Sequence, residues 1–267
     1  MKKFGLLAGV GRLPVEIARA ASGMGITVIA VGVVAGVDAE LETVAAKTYQ
    51  IAAGELAKII ATLKEEGVAQ VTMIGKVTKE LMFSGQMAID GRMQRLLAGL
   101  PDHSDDSIML AVVKELATEG IGVLDQTALI RALMPGPGLL SLRQPSQSEQ
   151  EDMEFGFMMA KQIGALDIGQ TVVVKNRAVM AVEAIEGTDA CIKRGGELGR
   201  GGVTVAKVAK PNQDLRFDVP SVGPDTLQAM IASGAVALVI EAGKTLLVDR
   251  GKTLALADAH QITIVAR

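Results

Sequence analysis

The chain is nearly devoid of aromatic residues. It has no Trp, one Tyr and five Phe, and aromatics make up 2% of its 267 residues. Single-stranded nucleic acids are commonly bound by stacking their bases on aromatic side chains, so this mode of binding is disfavoured. The formal net charge of −3 also argues against a nucleic-acid ligand, because proteins that bind one usually present a basic surface. We therefore expect no nucleic-acid partner.

Cysteine and histidine are also rare. The single cysteine, Cys191, cannot form a disulfide within the chain, and we interpret it as a small buried hydrophobic residue. The two histidines, His103 and His260, lie far apart in the sequence, so no zinc site is expected. The chain lacks both the G-x-S-x-G motif of serine hydrolases and the G-x-x-x-x-G-K-[ST] phosphate loop, which disfavours both classes of enzyme.

No hydrophobic run is long enough to span a bilayer. The longest weakly polar run, residues 25–37, is too short and is rich in Gly and Val. The apolar N-terminal segment is interrupted by Arg12 and Pro14 and does not match a signal peptide. These features predict a soluble, cytoplasmic protein.

The remaining composition favours a folded α/β protein. Hydrophobic residues make up 49% of the chain and charged residues 21%, which allows an aliphatic core. In the first half, runs typical of buried strands, such as ITVIAVGVV, alternate with helical patterns such as GELAKIIATLKEEG. Such alternation predicts a parallel sheet with helices on both faces. We expect a Rossmann-like N-terminal domain over residues 1–133.

Residues 134–150 interrupt this alternation and are predicted to link two domains. The stretch MPGPGLLSLRQPSQSEQ holds three prolines and two glycines before a polar run. Ser148 and Glu151 match a capping box, which predicts the start of a helix that ends near Gly164. Residues 151–267 are richer in strand patterns. They are predicted to form a distinct mixed α/β domain.

A glycine-rich turn follows the first predicted strand. In AGVGRLP, Gly9 and Gly11 would let backbone N–H groups face a phosphate at the start of a helix. A dinucleotide site would need a third glycine where this chain has Pro14, so a nucleotide or phosphate site fits better than an NAD site. A tight strand-to-helix turn is an equally good interpretation. Lys76 follows Gly75 at the end of the third predicted strand, AQVTMIG. There it could meet a phosphate or lie solvated on the surface.

The stretch EAIEGTDACIKR predicts a second place for an anion. Thr188 or Asp189 can cap the helix that follows, and a helix N-terminus beside a hydroxyl suits a phosphate. Arg194 lies further along the same predicted helix. Capping alone would explain Thr188 and Asp189, but it leaves the preceding acids, Glu183 and Glu186, unexplained.

The stretch KPNQDLRFDVPSVGPDT, residues 210–226, combines acids and bases with three prolines. Carboxylates are oxygen ligands of the kind Mg²⁺ takes together with substrate phosphates, and cations suit the phosphates themselves. Pro224 is favoured at the first position of a helix, which would place Asp225 in its first turn. The alternative is a stiff loop whose charged residues cap turns and pair with one another. These residues are Lys210, Asp214, Arg216, Asp218 and Asp225.

Together these stretches resemble a known family. EAIEGTDACIKR, KPNQDLRFDVPSVGPDT, AGVGRLP and DDSIML are similar to segments of the UDP-2,3-diacylglucosamine pyrophosphatases of lipid A biosynthesis, of the two-domain type unrelated to the metallophosphoesterase version. The resemblance covers nearly the whole chain. It implies a Mg²⁺-dependent hydrolase that converts UDP-2,3-diacylglucosamine to UMP and 2,3-diacylglucosamine 1-phosphate (lipid X). It also implies that residues 151–267 form the catalytic domain.

The resemblance also implies a location and residue roles. It implies a cytoplasmic protein, peripheral to the inner membrane, whose partner is the UDP-linked diacylated glucosamine lipid; the oligomeric state stays open, with a homodimer as one option. The family's essential aspartate corresponds to Asp225, which would hold Mg²⁺ or orient water, with Asp214 as a second metal ligand. The predicted substrate-binding residues are Gly9, Gly11, Lys76, Thr188, Asp189, Arg194, Lys210 and Gln213.

Two other classes of function stay open on the residues alone. One is a nicotinamide-dependent oxidoreductase, which the N-terminal fold suggests and Pro14 disfavours. The other is a non-catalytic nucleotide or lipid carrier that uses the same phosphate sites. A fold by itself does not give a function. Turnover of the UDP-linked lipid would separate a hydrolase from both alternatives.

Overall fold

The chain divides into two compact units: the N-terminal unit consists of residues up to Ile130 together with Arg216, and the C-terminal unit consists of the other residues from Arg131 onward. Each unit contains a main sheet of its own. The computed structural model describes residues 2–77, 88–102, 105–131, 134–211, 216 and 219–267.

A five-stranded parallel sheet forms the centre of the N-terminal unit, with the strand order β3-β2-β1-β4-β5. The strands are β1 (Lys3–Ala8), β2 (Thr27–Gly32), β3 (Lys47–Gln50), β4 (Gln70–Ile74) and β5 (Gly122–Val123). Strands β1 and β2 are almost wholly buried, as expected for the aliphatic centre of a parallel sheet. The parallel order with β1 at the centre confirms the predicted Rossmann-like fold.

Helices connect most of these strands. They are α1 (Leu13–Gly23), α2 (Leu41–Val44), α3 (Leu56–Glu65), α4 (Gly91–Ala98) and α5 (Asp105–Thr118), followed by a 3₁₀ helix at Gln126–Leu129. Helix α3 ends shortly before Gly67, which has a φ of 67°, a left-handed conformation that glycine adopts without strain.

A six-stranded mixed sheet forms the centre of the C-terminal unit, with the order β6-β13-β11-β9-β7-β8. Strands β9, β11 and β13 run parallel, whereas β7 is antiparallel to both of its neighbours and β6 is antiparallel to β13. The predicted mixed α/β fold of this half is therefore confirmed. The strands are β6 (Gly138–Leu139), β7 (Thr171–Lys175), β8 (Ala178–Val182), β9 (Val203–Lys207), β11 (Ala235–Ile240) and β13 (Thr263–Ala266).

Shorter strands and four helices complete this unit. A parallel pair is formed by β10 (Ser221–Val222) and β12 (Leu246–Leu247). The helices are α6 (Gln147–Ala165), α7 (Thr188–Gly199), α8 (Pro224–Ala232) and α9 (Arg250–Ala259). None of the helices in the described ranges is long and apolar enough to cross a membrane.

The capping box that starts α6 lies two residues before the predicted one. The Ser146 hydroxyl accepts the Glu149 N–H at 3.3 Å, and the Glu149 carboxylate accepts the Ser146 N–H at 2.7 Å. Ser146–Glu149 and Ser148–Glu151 share the S-x-x-E spacing, so the sequence pattern allows both registers. Arg143 also donates to Glu149, at 2.7 and 3.1 Å, and this additional contact supports the earlier register.

Some elements have no clear signal in the sequence pattern. Strand β3 is the edge of its sheet and consists of the mostly exposed residues KTYQ, so it lacks the apolar run of a central strand. Helix α9 has a weak apolar face, and its buried Thr253 is accommodated because its hydroxyl donates to the Val248 carbonyl at 2.6 Å. Tertiary pairing and packing outweigh local preference in both elements.

Helix α7 continues through two glycines because it packs unusually close to its neighbours. A Cβ atom added to Gly195 would lie 2.5 Å from the Cβ of Val173 in β7. A Cβ atom added to Gly196 would collide with Ser233 at the end of α8. Glycine at these positions lets α7 approach both the sheet and α8, which outweighs its poor helix propensity.

We expect Gly195→Ala to lower the free energy of unfolding by about 1–3 kcal/mol, the usual cost of overpacking a core, because α7 must move away from β7. The measurement is chemical denaturation of the purified protein. Gly251→Ala is the matched control, since Gly251 also lies in a helix but an added Cβ would meet no atom within 4 Å. That change should leave stability unchanged or raise it by up to about 1 kcal/mol. Equal effects of the two changes would contradict this account of the packing.

Candidate active site

One edge of the C-terminal sheet collects charged residues at the ends of its strands. Strand β9 ends at Lys207, β11 is followed directly by Glu241, and β8 is followed by Glu183. Because β7 runs in the opposite direction, its first residue, Thr171, lies at the same edge. Ligands of open α/β sheets commonly bind at the carboxyl ends of the strands, so this edge is the candidate site.

Three side chains at this edge form a continuous hydrogen-bonded cluster. The Lys207 ammonium donates to the Thr188 hydroxyl at 3.1 Å, and that hydroxyl donates to the Glu183 carboxylate at 2.8 Å. Glu183 also accepts the backbone N–H of Gln170 at 3.3 Å. The side chains of Lys207 and Glu183 are both buried, and such charges are tolerated only where hydrogen bonds replace water.

Lys207 also connects this cluster with the segment that carries Asp225. Its ammonium donates to the Ser221 carbonyl oxygen at 2.8 Å. Ser221 belongs to β10, and helix α8 begins at Pro224 shortly after it. The connection therefore runs from Thr188, at the start of α7, to the strand that leads into α8.

Asp225 lies where the sequence predicted, in the first turn of a helix that starts with proline. Its side chain is exposed, and no hydrogen bond or ion pair to it is present within the part of the chain that the structure describes. A carboxylate held on a rigid helix start and left facing solvent can accept a ligand without first breaking an internal contact.

A second buried carboxylate, Glu241, fixes the chain after β9. It accepts hydrogen bonds from Lys161 at 3.0 and 3.1 Å and from the backbone N–H of Ala209 at 2.9 Å. Burial acts to raise the pKa of Glu241, but hydrogen bonds from Lys244, Lys161 and Ala209 outweigh it and hold that pKa below its usual range. Glu241 is therefore ionised at neutral pH and anchors the residue that precedes Lys210.

The other predicted residues of this unit are placed as follows. Asp189 follows Thr188 in the first turn of α7. Arg194 donates to the Glu186 carboxylate and to the Val182 carbonyl oxygen, so it stabilises the loop before α7. A hydrogen bond from its own backbone N–H and the contact with Arg194 lower the pKa of Glu186. The Lys210 ammonium contacts Asp167 at 2.6 Å.

The predicted metal ligands are only partly described. Gln213, Asp214 and Asp218 lie outside the described residues, and so does His103. Within the described ranges, no three His, Cys, Asp or Glu side chains converge closely enough to hold a metal ion. Mg²⁺ commonly takes only one or two protein carboxylates together with phosphates and water, so an exposed Asp225 fits that requirement.

The predicted phosphate residues of the N-terminal unit lie close together. The loop at Gly9 meets the loop at Gly75: Val10 and Lys76 exchange backbone hydrogen bonds of 3.0 and 2.8 Å. A Cβ atom on Gly9 would lie 2.6 Å from the Lys76 carbonyl oxygen, so this close approach itself requires glycine. The backbone N–H groups of Gly9 and Val10 donate to Ile74 and Lys76, respectively.

Gly11 and Lys76 are more accessible to a ligand than Gly9. Gly11 has a φ of 116°, with no atom within 4 Å of an added Cβ, so its backbone is open to an approaching group. The Lys76 side chain is exposed. A phosphate role for Gly9 and its neighbours stays a prediction, and the geometry assigns Gly9 a structural role as well.

Cys191 is fully buried, as the sequence analysis predicted. Burial raises the pKa of its thiol to about 12, so it is protonated at neutral pH. A thiolate nucleophile at this position is therefore disfavoured.

Two charged residues at the edge of the C-terminal sheet that forms the candidate site, Lys207 and Glu241, were not among the predicted site residues. Both stand at the end of a buried aliphatic run, in VTVAK and AVALVIE. A charge directly after such a run was the available signal, because the carboxyl ends of parallel strands meet at one edge of the sheet.

Solved structures give only distant likenesses. The biotin carboxylase domain of a thermophilic 2-oxoglutarate carboxylase is 14% identical, with 64% of this chain and 34% of that chain covered and a TM-score of 0.29. The N5-carboxyaminoimidazole ribonucleotide synthetase from Thermotoga maritima is 18% identical, with 68% and 42% covered and a TM-score of 0.25. TM-scores this low do not establish a shared fold.

A curated relative is much more similar. It is the UDP-2,3-diacylglucosamine pyrophosphatase LpxI of Caulobacter vibrioides, which is 34% identical over 270 residues. The match covers 97% of this chain and 95% of that protein.

Family models match both halves of the chain. The LpxI N-terminal domain matches residues 3–133, and the LpxI C-terminal domain matches residues 136–265. The two matches and the full-length relative agree with the resemblance found in the sequence motifs, and the chain belongs to the LpxI family.

Proposed function

We propose that this protein hydrolyses the pyrophosphate bond of UDP-2,3-diacylglucosamine, releasing UMP and 2,3-diacylglucosamine 1-phosphate (lipid X) in lipid A biosynthesis. The observation that carries the proposal is the 34% identity with the Caulobacter vibrioides enzyme over nearly the full length of both chains. A match of this extent includes both domains rather than a shared module alone.

The start of α7 supports this function because it can receive a phosphate. Its first backbone N–H groups have no side-chain cap, and a helix N-terminus favours negative charge. The Thr188 hydroxyl and the nearby buried ammonium of Lys207 add polar and positive character at the same place. The proposed contacts to the substrate's phosphates are accordingly the Thr188 hydroxyl and the backbone N–H groups of Thr188 and Asp189.

The start of α8 supplies the proposed catalytic carboxylate. Asp225 would hold Mg²⁺ together with Asp214, or it would orient the attacking water. When bound, Mg²⁺ neutralises charge on the pyrophosphate oxygens and so stabilises the transition state. The helix holds the backbone of Asp225 in place before the substrate arrives, which reduces the reorganisation needed during the reaction.

The proposed substrate carries both a water-soluble nucleotide and acyl chains that insert into a membrane, so the protein must reach it at a membrane surface. We propose that it acts at the cytoplasmic face of the inner membrane as a peripheral protein, either as a single chain or as a homodimer. Lys210, Gln213, Arg194 and Lys76 are the further proposed contacts to the substrate, as are the Gly9 and Gly11 backbones.

Purified protein should release UMP and lipid X in equal amounts from UDP-2,3-diacylglucosamine. The reason is that one pyrophosphate bond is broken for each substrate molecule. Chromatography of the nucleotide and mass spectrometry of the lipid measure the two products. A folded sample that binds the substrate without releasing UMP would favour the carrier alternative instead.

An excess of EDTA should abolish UMP release, and added Mg²⁺ should restore it. Charge on two adjoining phosphates must be neutralised during cleavage, and the proposed carboxylates are suited to hold Mg²⁺ for that purpose. The thermal melting curve with EDTA serves as the control, because it separates loss of the metal from unfolding. Full activity in excess EDTA would overturn the magnesium assignment.

Asp225→Ala should reduce kcat by at least about 100-fold, a change of about 2.7 kcal/mol in the activation barrier, and should leave KM largely unchanged. The melting temperature should fall little, since a first-turn acid contributes only about 0.3–1 kcal/mol through the helix dipole. Steady-state kinetics and thermal unfolding of the same variant measure both effects.

Glu42→Ala is the matched control, because Glu42 is also an exposed acid in the first turn of a helix, α2. It should show a similar small change in stability and an unchanged kcat. If Asp225→Ala keeps more than about a tenth of the wild-type kcat, a barrier change under roughly 1.4 kcal/mol, Asp225 is not the catalytic carboxylate.

A further inference from the structure

The buried side chain of Lys207 is not explained by core packing. Only 7% of this residue is exposed. Burying an ammonium group is costly, and an apolar side chain of similar volume commonly serves a protein core as well or better. A lysine at this position therefore indicates that its hydrogen bonds have a use beyond filling space.

Those hydrogen bonds reach the segments that begin two neighbouring helices. One goes to the hydroxyl of Thr188, the first residue of α7, at 3.1 Å. Another goes to the carbonyl oxygen of Ser221, which lies shortly before the start of α8, at 2.8 Å. Because Lys207 is the last residue of the central strand β9, its own backbone is held by pairing with both neighbouring strands.

The two helices are also in close contact elsewhere along their length. Gly196 of α7 packs against Ser233, which follows the last residue of α8, more closely than any residue with a Cβ atom could. This contact fixes the distance between the helices near the end of α8. Lys207 contacts the first residue of α7 and the strand that precedes α8, so it constrains the spacing between Thr188 and the segment that leads to Asp225.

The same contact determines the direction of the Thr188 hydroxyl. A threonine hydroxyl has a single proton, and Lys207 has only donors, so Thr188 accepts from Lys207 and donates to Glu183. Glu183 is oriented in turn by the backbone N–H of Gln170. The hydroxyl is thereby kept from rotating. Because its proton goes to Glu183, Thr188 is the acceptor in the 3.5 Å contact with the Thr171 hydroxyl.

We propose that Lys207 is a positioning residue of the reaction, and this inference rests on the proposed function. It acts through the Thr188 hydroxyl and the Ser221 carbonyl, holding the phosphate-binding start of α7 and the catalytic carboxylate of α8 at a fixed separation. Glu183 assists by fixing the Thr188 hydroxyl. Without the ammonium, both helix starts shift, and the substrate is bound with its reacting phosphate displaced from Asp225.

Lys207→Met tests this role because methionine keeps a similar length and removes the donors. Lys175→Met is the matched control: the Lys175 ammonium also donates hydrogen bonds within this unit, to the backbone carbonyls of Gly199 and Gly201, both at 2.8 Å, but at the opposite edge of the same sheet. We expect both variants to lose stability. Only Lys207→Met should lose kcat, by about 100-fold, with KM changed less than about fivefold. Lys207→Arg should recover part of the lost kcat, since arginine keeps the charge and the donors.

A double-mutant cycle with Thr188→Val separates positioning from a general loss of stability. If Lys207 acts in part through the Thr188 hydroxyl, the double variant should lose clearly less kcat than the product of the two single losses. Fully multiplicative losses would contradict action through Thr188. A kcat for Lys207→Met within about threefold of wild type would overturn the proposal, whatever its melting temperature.

Hydrogen exchange tests the same contact without any substrate. In Lys207→Met, the hydrogen-bonded amides of Cys191 and Leu227, which donate to Gly187 and Gly223 at the two helix starts, should exchange faster, whereas Lys175→Met should affect residues 199–203. Unchanged protection at either helix start in Lys207→Met would contradict the proposal on structural grounds alone. This result is independent of turnover, so a wild-type protein that released no UMP would refute the proposed function without deciding the positioning of the helices.

Discussion

The candidate active site depends on the hydrogen bonds that the buried ammonium of Lys207 donates. This ammonium is a buried charge at the end of a central strand, and its hydrogen bonds to Thr188 and Ser221 replace those it would make with water. Such a group constrains its surroundings strongly, because any movement that breaks one of these contacts leaves a buried charge with fewer hydrogen bonds in a poorly solvated place. The segments that begin α7 and α8 are therefore held by an electrostatic requirement, whereas the body of each helix is held by apolar packing.

The glycines of α7 make this arrangement possible. Gly195 faces Val173 of the sheet and Gly196 faces Ser233, and at both positions an added Cβ would meet its neighbour too closely. These contacts bring α7 close to both β7 and α8, so the start of α7 lies within reach of a lysine side chain from β9. Two glycines inside a helix cost about 1 kcal/mol each relative to alanine. Close packing of the helix on the sheet offsets that cost.

Much of the fold was predictable because its central strands consist of runs of aliphatic residues. The runs around β1, β2, β9 and β11 are strongly apolar, and their alternation with helical patterns indicated the Rossmann-like N-terminal unit. Elements that depend on partners were not predictable: β3 is an edge strand of polar residues, and α9 buries Thr253 through a hydrogen bond to a backbone carbonyl. The register of the capping box before α6 was ambiguous for a similar reason, since Arg143 makes the contact that supports one of two equivalent patterns.

For the candidate site, sequence motifs identified the loops but not the contacts between them. Thr188 and Asp225 belong to separate motifs, and each has a local explanation as a residue at a helix start. Lys207 stands outside the anion-binding stretch at Thr188 and the charged stretch at Asp225, yet it is the residue that connects them. A single charge after VTVA matches no motif, so the sequence did not predict a role for Lys207. Its position in the site follows from the strand pairing that brings β8, β9 and the start of β7 to one edge of the sheet. Lys207 and Glu183 are both buried, so they lose their contact with water when the protein folds. The helix starts are therefore already oriented when the substrate binds.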